Sequence, residues 1–168
     1  MNSNIVLIGM PASGKSTAGV ILAKVLGKKF VDTDLYIQDR ENKLLRDIIN
    51  EKGLSGFLSI EEDVLSSLDE TNAVIATGGS AVYSVEGMNH LKRIGKVVYL
   101  KVGKEELFKR LKNIRERGVV LRDGETLEEM YDERCRLYEM YADVVVAEDG
   151  SSIEETVARI ADVCLRSK

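Results

Sequence analysis

The sequence predicts one three-layer α/β/α domain with a central parallel sheet of about five strands. Short runs that are apolar throughout alternate along the chain with longer amphipathic stretches. Strands of that composition are buried on both faces, which is typical of parallel sheets covered by helices on either side. The 168 residues contain a single proline, and neither a repeat nor a low-complexity linker interrupts them. One domain spanning residues 1–168 is therefore expected.

The candidate strands are runs of apolar and β-branched residues. They lie at 5–8, around 30–31, at 73–77, at 97–102 and at 144–147. Candidate helices lie between them at 17–26, 44–51, 57–68 and 105–117. A last helix is marked at helical spacing by Ile153, Val157, Ile160, Ala161 and Cys164. The resulting order of strands and helices is that of a sheet with crossover helices.

Two segments look like insertions into this alternation. Residues 34–68 form a predicted helical excursion between two strands, and residues 115–141 are rich in charge and contain Gly118 and Gly124. A charged, exposed segment of this kind is a candidate mobile lid, which we place at about 112–125.

The composition excludes several classes of function. A net charge of −4 without a long basic stretch argues against nucleic acid as the main partner. No apolar run approaches the length that crosses a membrane. Cys135 and Cys164 are far apart in the sequence, which favours reduced thiols and a cytoplasmic setting. Because His90 is the only histidine and is expected on the surface, zinc sites and histidine triads are nearly excluded.

A phosphate-binding motif follows the first candidate strand. Residues 9–17 match G-x-x-x-x-G-K-[ST] and lead into a candidate helix, which is the context that this motif requires. Backbone N–H groups of such a loop point at phosphate oxygens. Lys15 is placed to reach the β- and γ-phosphates, and Ser16 can offer its hydroxyl to Mg²⁺. The predicted nucleotide-binding residues of the loop are Gly9, Ala12, Ser13, Gly14, Lys15, Ser16 and Thr17.

Two further groups of residues follow strands of the same sheet. Asp32 and Asp34 come at the end of the second strand, and Gly78 and Gly79 come at the end of the third. Because ligands bind beyond the carboxyl ends of parallel strands, both groups are expected near the phosphates. One aspartate can assist Mg²⁺ and the other can orient an attacking hydroxyl, although Asp34 could equally cap the next helix. Paired glycines allow a ligand or a backbone to approach closely.

Several arginines lie in or around the candidate lid. They are Arg110, Arg115, Arg117, Arg134 and Arg136. A mobile arginine can stabilise the charge that develops during phosphoryl transfer. Charge alone does not single out any one of them.

Taken together, these motifs resemble those of the shikimate kinase family over nearly the whole chain. The matching pieces are the loop at 9–17, Phe30 to Asp34, Gly53 with Phe57 and Glu61, Ala76 to Gly79, Arg117 before the apolar run at 119–121, and Arg134 with Leu137, Tyr138, Ala142 and Asp143. The loop alone is generic, whereas the set in this order is specific. The resemblance implies a P-loop kinase fold and an ATP-dependent enzyme of aromatic amino acid biosynthesis.

The resemblance also implies roles for individual residues. Lys15, Asp34 and Arg117 would be catalytic, with Ser16 and Asp32 serving Mg²⁺. Arg110 and Arg117 would join the loop in binding ATP. Asp34, Gly78, Gly79 and Arg134 would bind the acceptor, together with the helical segment at about 34–68. The expected partners are ATP and a small hydroxylated metabolite, most simply shikimate, without nucleic acid or membrane, and the expected state is a cytoplasmic monomer.

Three positions depart from the family pattern. Leu58 stands where the family has an arginine that helps to bind the shikimate carboxylate, while the usual ionic neighbour of that arginine is retained as Glu61. Ser80 replaces the third glycine of a family triplet, and Gly118 replaces a proline at the start of the lid. Losing one of two guanidinium contacts to a carboxylate costs about 1.5–3 kcal/mol.

These departures leave alternative functions open. One is a kinase of the same fold for another acceptor, such as a sugar, a polyol or a different hydroxy acid. A second is a nucleotide-binding regulator without catalysis, although the retained Lys15, Ser16, Asp32, Asp34 and Arg117 argue against it. A GTP-dependent switch is disfavoured, because the guanine-specific Asn-Lys-x-Asp motif is not found.

Overall fold

The chain folds around a five-stranded parallel sheet, which confirms the predicted α/β class. A computed structural model describes residues 4–112 and 121–166. The strands are β1 (Asn4–Ile8), β2 (Lys29–Asp32), β3 (Ala73–Ala76), β4 (Gly95–Val102) and β5 (Val144–Glu148). Their spatial order is β2-β3-β1-β4-β5, and every pairing is parallel.

Helices cover both faces of the sheet. They are α1 (Lys15–Leu26), α2 (Thr33–Glu41), α3 (Leu45–Ser67), α4 (Val85–Ile94), α5 (Lys104–Lys112), α6 (Leu127–Tyr141) and α7 (Ile153–Leu165), and a short 3₁₀ turn spans Ala81–Tyr83. Helices α1 and α7 pack together on one face, while α3 and α4 pack together on the other. None of the helices within 4–112 and 121–166 is long and apolar enough to cross a membrane.

The alternation of side chains along β1 divides the core into two layers. Ile5 and Leu7 belong to the cluster that contains residues of α1 and α7, such as Leu22. Val6 and Ile8 belong to the opposite cluster, which contains residues of α3, α4 and α6. Both faces of the strand are buried, as the continuous apolar sequence predicted.

The helical excursion after β2 consists of two helices. Helix α2 lies at the start of the predicted helical excursion, but its bounds were not predicted, because it is short and polar and buries only Thr33 and Ile37. The two candidate helices at 44–51 and 57–68 form the single element α3, which is broken at Gly53, where φ is 70°. Glycine tolerates this left-handed geometry, which a side chain would resist.

The interpretation of 115–141 as an exposed insertion is wrong for the second half of the segment. Its second half is helix α6, which packs against β4 and the 3₁₀ turn and buries Met130, Arg134 and Tyr138. The surface position expected for His90 also needs correction. This residue lies within α4, is partly buried, and its Nε2 is 2.8 Å from the carbonyl oxygen of Leu68.

The strand order opens a crevice between β1 and β3. Strand β1 leads into α1 on one face of the sheet, whereas β3 leads into the 3₁₀ turn and α4 on the other face. In open parallel sheets, ligands bind beyond the carboxyl ends of neighbouring strands whose connections go to opposite faces. The candidate site is therefore at this crevice, flanked by the end of β2.

Candidate active site

The loop at 9–14 is held in shape by Lys15. The Lys15 ammonium donates to the carbonyl oxygens of Gly9 and Met10, each at 2.8 Å, and to Ser13 Oγ at 3.3 Å. Gly14 precedes α1 with φ 86°, a left-handed geometry that glycine adopts without strain. The first N–H groups of α1 therefore open onto the loop, which is the geometry of an anion site.

The Lys15 ammonium is also buried, with 7% of the residue exposed. Burial lowers its pKa to about 8, although the nearby Asp34 and Asp32 carboxylates counteract part of this effect. An arriving phosphate would raise that pKa again, because opposite charge favours the ammonium form. The loop thus presents a desolvated cation to an anionic ligand.

Asp32 performs two tasks at the end of β2. Its Oδ1 accepts from the backbone N–H of Asp34 at 3.0 Å and of Leu35 at 3.3 Å, so Asp32 is the N-cap of α2. Its Oδ2 accepts from Ser16 Oγ at 2.8 Å. The alternative of Asp34 as the cap is therefore wrong, and the Asp34 carboxylate is available for another role.

Ser16 and Asp32 also bring together oxygens of the kind that Mg²⁺ prefers. A hydroxyl and a carboxylate fit an ion that keeps several waters and takes its remaining ligands from substrate phosphates. Among residues 4–112 and 121–166, no cluster combines three or more His, Cys, Asp or Glu side chains that could hold a metal without such help.

Asp34 and Glu61 converge on Gly78. A Cβ at Gly78 would lie 2.6 Å from Asp34 Oδ1 and 3.0 Å from Glu61 Oε2, so only glycine fits between these carboxylates. Burial, followed by the negative charge of Asp32, raises the pKa of Asp34 to about 6. An acid with that pKa is matched to accepting a proton near neutral pH.

Gly79 joins the phosphate loop to the acceptor side. A Cβ there would lie 2.6 Å from Pro11 Cδ and 3.1 Å from Arg134 Nη1. The Tyr138 hydroxyl donates to the Gly79 carbonyl at 2.6 Å, which fixes this turn against α6. The two glycines thus allow the loop, the acidic pair and a buried arginine to approach one another within a few ångströms.

Arg134 lies in the interior of the molecule with only 2% of its surface exposed. Its guanidinium carbon is 5.3 Å from the centroid of the Tyr83 ring, a cation–π geometry. Arg134, Ser80, Leu58 and Tyr83 line a small hollow beside Gly79. Ser80 Oγ donates to Glu61 Oε1 at 2.7 Å, so this departure from the family pattern has a local hydrogen-bonding role.

Arg110 lies at the opposite end of the loop. Its guanidinium forms two hydrogen bonds with the Glu148 carboxylate, at 2.9 and 2.6 Å, and a third with the Ala12 carbonyl at 3.2 Å. Ala12 has φ 64°, which is unusual for a residue with a side chain. Arg110 thereby anchors the strained part of the loop. It also borders an open hollow of about 620 Å³ that continues to Asp149 and Ser151.

The remaining predicted site residues lie at the edge of this arrangement or outside it. Thr17 is exposed in the first turn of α1 and Arg136 is exposed on α6. Arg115, Arg117 and Gly118, with residues 113–120 of the lid predicted at about 112–125, fall on residues that the structure does not describe.

Sequence reasoning missed three residues of the site, namely Tyr83, Glu148 and Arg122. The first two carry no local motif, because their contacts come from packing between distant elements. Arg122 lies four residues before the capping box of Thr126 and Glu129, a signature that begins α6. That signature could have located the helix and shown that Arg122 and Arg134 flank its first turns.

Comparisons with known proteins agree with this geometry. The model of the shikimate kinase family matches residues 11–165. The chain is 35% identical over 158 residues to a shikimate kinase of Persephonella marina, covering 94% of this chain and 96% of that protein. It is 39% identical over 161 residues to one of Clostridium botulinum strain Okra, covering 94% and 93%. The solved structure of the shikimate kinase from Acinetobacter baumannii in complex with shikimate superimposes with a TM-score of 0.89, at 28% identity, over 99% of this chain and 94% of that one.

Proposed function

The chain belongs to the shikimate kinase family, and we propose that it transfers the γ-phosphoryl group of ATP to a hydroxyl of shikimate, giving shikimate 3-phosphate. The observation that carries this proposal is the convergence at Gly78 and Gly79 of two carboxylates, a buried arginine and the phosphate loop. Hydroxyl groups of an acceptor suit the acids Asp34 and Glu61, and its carboxylate suits the guanidinium of Arg134.

ATP binds with its phosphates in the loop at 9–14, where the backbone N–H groups, Lys15 and Thr17 surround them. Its base extends toward Arg110 and the hollow beside Glu148. Ser16 and Asp32 would hold Mg²⁺, which would supply positive charge that stabilises the phosphates during transfer. The hydrogen bond between Ser16 Oγ and Asp32 Oδ2 supports this assignment, since it already pairs the two oxygens.

Transfer requires one new bond and one broken bond. The acceptor hydroxyl oxygen bonds to the γ-phosphorus, and the bond from that phosphorus to the bridging oxygen breaks as ADP departs. Asp34 accepts the hydroxyl proton, which its raised pKa favours. Lys15 stabilises the charge of the transferring group, and Arg117 is proposed to add a second cation from the lid.

The same proposal covers the state of the protein in the cell. We expect a monomer in the cytoplasm with the acceptor region at 34–68 and the lid at 112–125 as parts of one domain. The acidic composition supports a small-molecule kinase rather than a nucleic-acid enzyme. Sedimentation of the pure protein at micromolar concentration tests the monomer directly.

The function is tested by coupling ADP release to shikimate addition, in wild-type protein and two variants. Lys15→Met should reduce kcat by two orders of magnitude or more, and Asp34→Asn by roughly 10²–10⁴ with little change in ATP affinity. The controls are Lys24→Met, an exposed lysine of α1, and Asp39→Asn, an exposed aspartate of α2. Both should keep wild-type turnover.

A panel of sugars, polyols and other hydroxy acids decides between acceptors in the same assay. Leu58 lines the acceptor hollow in place of a cation, which is the observation that favours a neutral acceptor. Higher kcat/KM for a neutral polyol than for shikimate would refute shikimate as the substrate while leaving the kinase intact. ATP turnover that no acceptor stimulates would refute the kinase itself.

A further inference from the structure

A second arginine lines the hollow that contains Leu58 and Arg134. The hollow is bounded by Leu54 and Leu58 from α3, Ser80 and Tyr83 after β3, Arg122 and Glu125 before α6, and Arg134 within it. Arg122 enters from the segment that leads into α6 and lies far from Leu58 in sequence. Among these lining residues the two cations are Arg122 and Arg134.

Both guanidinium groups lie against the same aromatic ring. The guanidinium carbon of Arg122 is 5.0 Å from the centroid of Tyr83, and that of Arg134 is 5.3 Å from it. At these distances each guanidinium can interact with the ring face. Tyr83 therefore brings two positive charges to one side of the acceptor hollow, although only Arg134 is buried.

Arg122 is held in this position by two glutamates. Its Nη1 donates to both carboxylate oxygens of Glu133, at 3.2 and 3.0 Å, and its backbone N–H donates to Glu125 Oε2 at 3.0 Å. Glu133 also accepts from the Tyr83 hydroxyl at 3.1 Å. In the part of the chain that the structure describes, only Nη1 of this side chain is engaged. The fork of a guanidinium therefore retains donors with which it can meet a carboxylate.

The charges around the hollow explain why a second cation is needed. Glu61 accepts a hydrogen bond from the lining residue Ser80 and lies with Asp34 beside Gly78, and an acceptor carboxylate adds another negative group. Leu58 offers that carboxylate only apolar contact, and an ionised group that leaves water without sufficient partners is costly. One buried arginine faces several acids, whereas two arginines can offset the added charge.

We infer that Arg122 is a binding and specificity-determining residue for the acceptor, which together with Arg134 clamps the acceptor carboxylate on the Tyr83 side of the hollow. This inference rests on the proposed function. Arg122 thereby supplies the guanidinium that Leu58 cannot, from a different element that lines the same hollow. Glu133 holds Arg122 in place and takes no part in binding the acceptor.

Arg122→Gln tests the inference. It should raise KM for shikimate by about 10- to 100-fold, as expected for a lost charge-assisted hydrogen bond, while KM for ATP and kcat stay within about twofold. The inhibition constant of shikimate methyl ester, which carries no carboxylate charge, should be the same for wild-type and variant. Arg166→Gln is the matched control, because Arg166 is an exposed arginine paired with Asp162 on the last helix, and it should change neither constant.

Glu133→Gln separates acceptor binding from a structural ion pair. Loss of the charge on Glu133 weakens its hold on Arg122 but also removes a negative group near the acceptor carboxylate. The expected KM for shikimate is therefore unchanged or lower. A rise like that of Arg122→Gln would overturn the inference, as would an unchanged KM in Arg122→Gln or an equal penalty on the ester. Wild-type protein that does not phosphorylate shikimate would instead refute the proposed function, and this inference would be refuted with it.

Discussion

Glu61 is a buried acid in a site whose chemistry depends on charge. The residue is 1% exposed, its Oε1 accepts from Ser80 Oγ, and its Oε2 has no hydrogen-bond partner among the described residues. Burial raises its pKa from 4.5 to about 7, with a smaller contribution from Asp34, against the lowering effects of Ser80 and Arg134. The side chain is therefore partly protonated at neutral pH.

This raised pKa makes stability depend on pH with a defined sign. Between pH 4.5 and 7 the folded chain holds a proton on Glu61 that the unfolded chain has released, so the free energy of unfolding falls as pH rises. The full difference is about 3 kcal/mol, since each unit of pKa corresponds to 1.36 kcal/mol. Glu61→Gln removes the contribution of Glu61 to this dependence, because its amide oxygen can still accept from Ser80 and it carries no titrating group.

Urea unfolding at pH 5 and pH 8 measures this effect. Glu61→Gln should gain up to about 3 kcal/mol over wild type at pH 8 and much less at pH 5. Glu86→Gln, at an exposed position in the first turn of α4, serves as the control and should follow wild type at both values. A constant difference between Glu61→Gln and wild type across this range would exclude Glu61 as the titrating group.

Helix α6 connects the acceptor cation to the rest of the fold. Thr126 and Glu129 form a capping box at its start, with hydrogen bonds of 3.1 and 2.9 Å. The helix then buries Arg134 and Tyr138 against the glycine pair. Arg122 lies four residues before this cap and Arg134 lies eight residues after it, so we expect the cap to influence the position of Arg122 most directly.

Loss of this cap should therefore affect the acceptor more than the nucleotide. Thr126→Ala should cost about 1 kcal/mol of stability and raise KM for shikimate several-fold, because a frayed first turn loosens Arg122. The matched control is Ser152→Ala, which removes an equivalent capping box at the start of α7, with bonds of 3.2 and 3.0 Å. Steady-state kinetics should show equal KM for ATP in both variants. Equal effects of the two variants on KM for shikimate would mean that the cap acts only through global stability.

The elements that sequence patterns predicted are those whose signal is local. Five strands were found because each contains a short apolar run, and Lys15 and Ser16 were found because one motif encodes their geometry. The bounds of helix α2, within the predicted helical excursion, were not predicted, since two buried residues leave almost no periodic signal. Helix α6 was missed because its sequence is rich in charge. Its capping box is the sequence signal that could have identified it. Arg122 could not be assigned, because its partners Tyr83 and Glu133 meet it only in the folded chain.

Across the whole molecule, the proposed nucleotide site and the proposed acceptor site meet at the crevice between β1 and β3. The described part of the chain contains the loop, the acids and Arg134, whereas Arg117 belongs to the predicted lid. Lids that close on a nucleotide exclude water and complete the catalytic groups. We therefore expect hydrogen exchange at 112–125 to slow when a non-hydrolysable ATP analogue and Mg²⁺ bind.

Exchange measured by mass spectrometry with and without the analogue tests this expectation. Peptides from α7 between Ile153 and Leu165, which carry none of the proposed catalytic residues, provide the internal reference. Protection confined to 9–17, with 112–125 exchanging at the same rate in both states, would argue against the lid. In that case, Arg117→Ala would be treated as a substitution outside the catalytic machinery.

The contacts at Gly79 also bear on how such a protein can change its substrate during evolution. Pro11 Cδ and Arg134 Nη1 would lie 2.6 and 3.1 Å from a Cβ added at Gly79, so the phosphate loop and the buried arginine approach each other closely only because this residue has no side chain. Leu58 and Arg122 line the hollow but are not among the atoms nearest to a Cβ at Gly79. Mutations can therefore exchange a cation between these two positions, or remove it, without altering the distance over which the phosphoryl group travels. Single substitutions can therefore change which acceptor is preferred, while the positions of the catalytic residues stay the same.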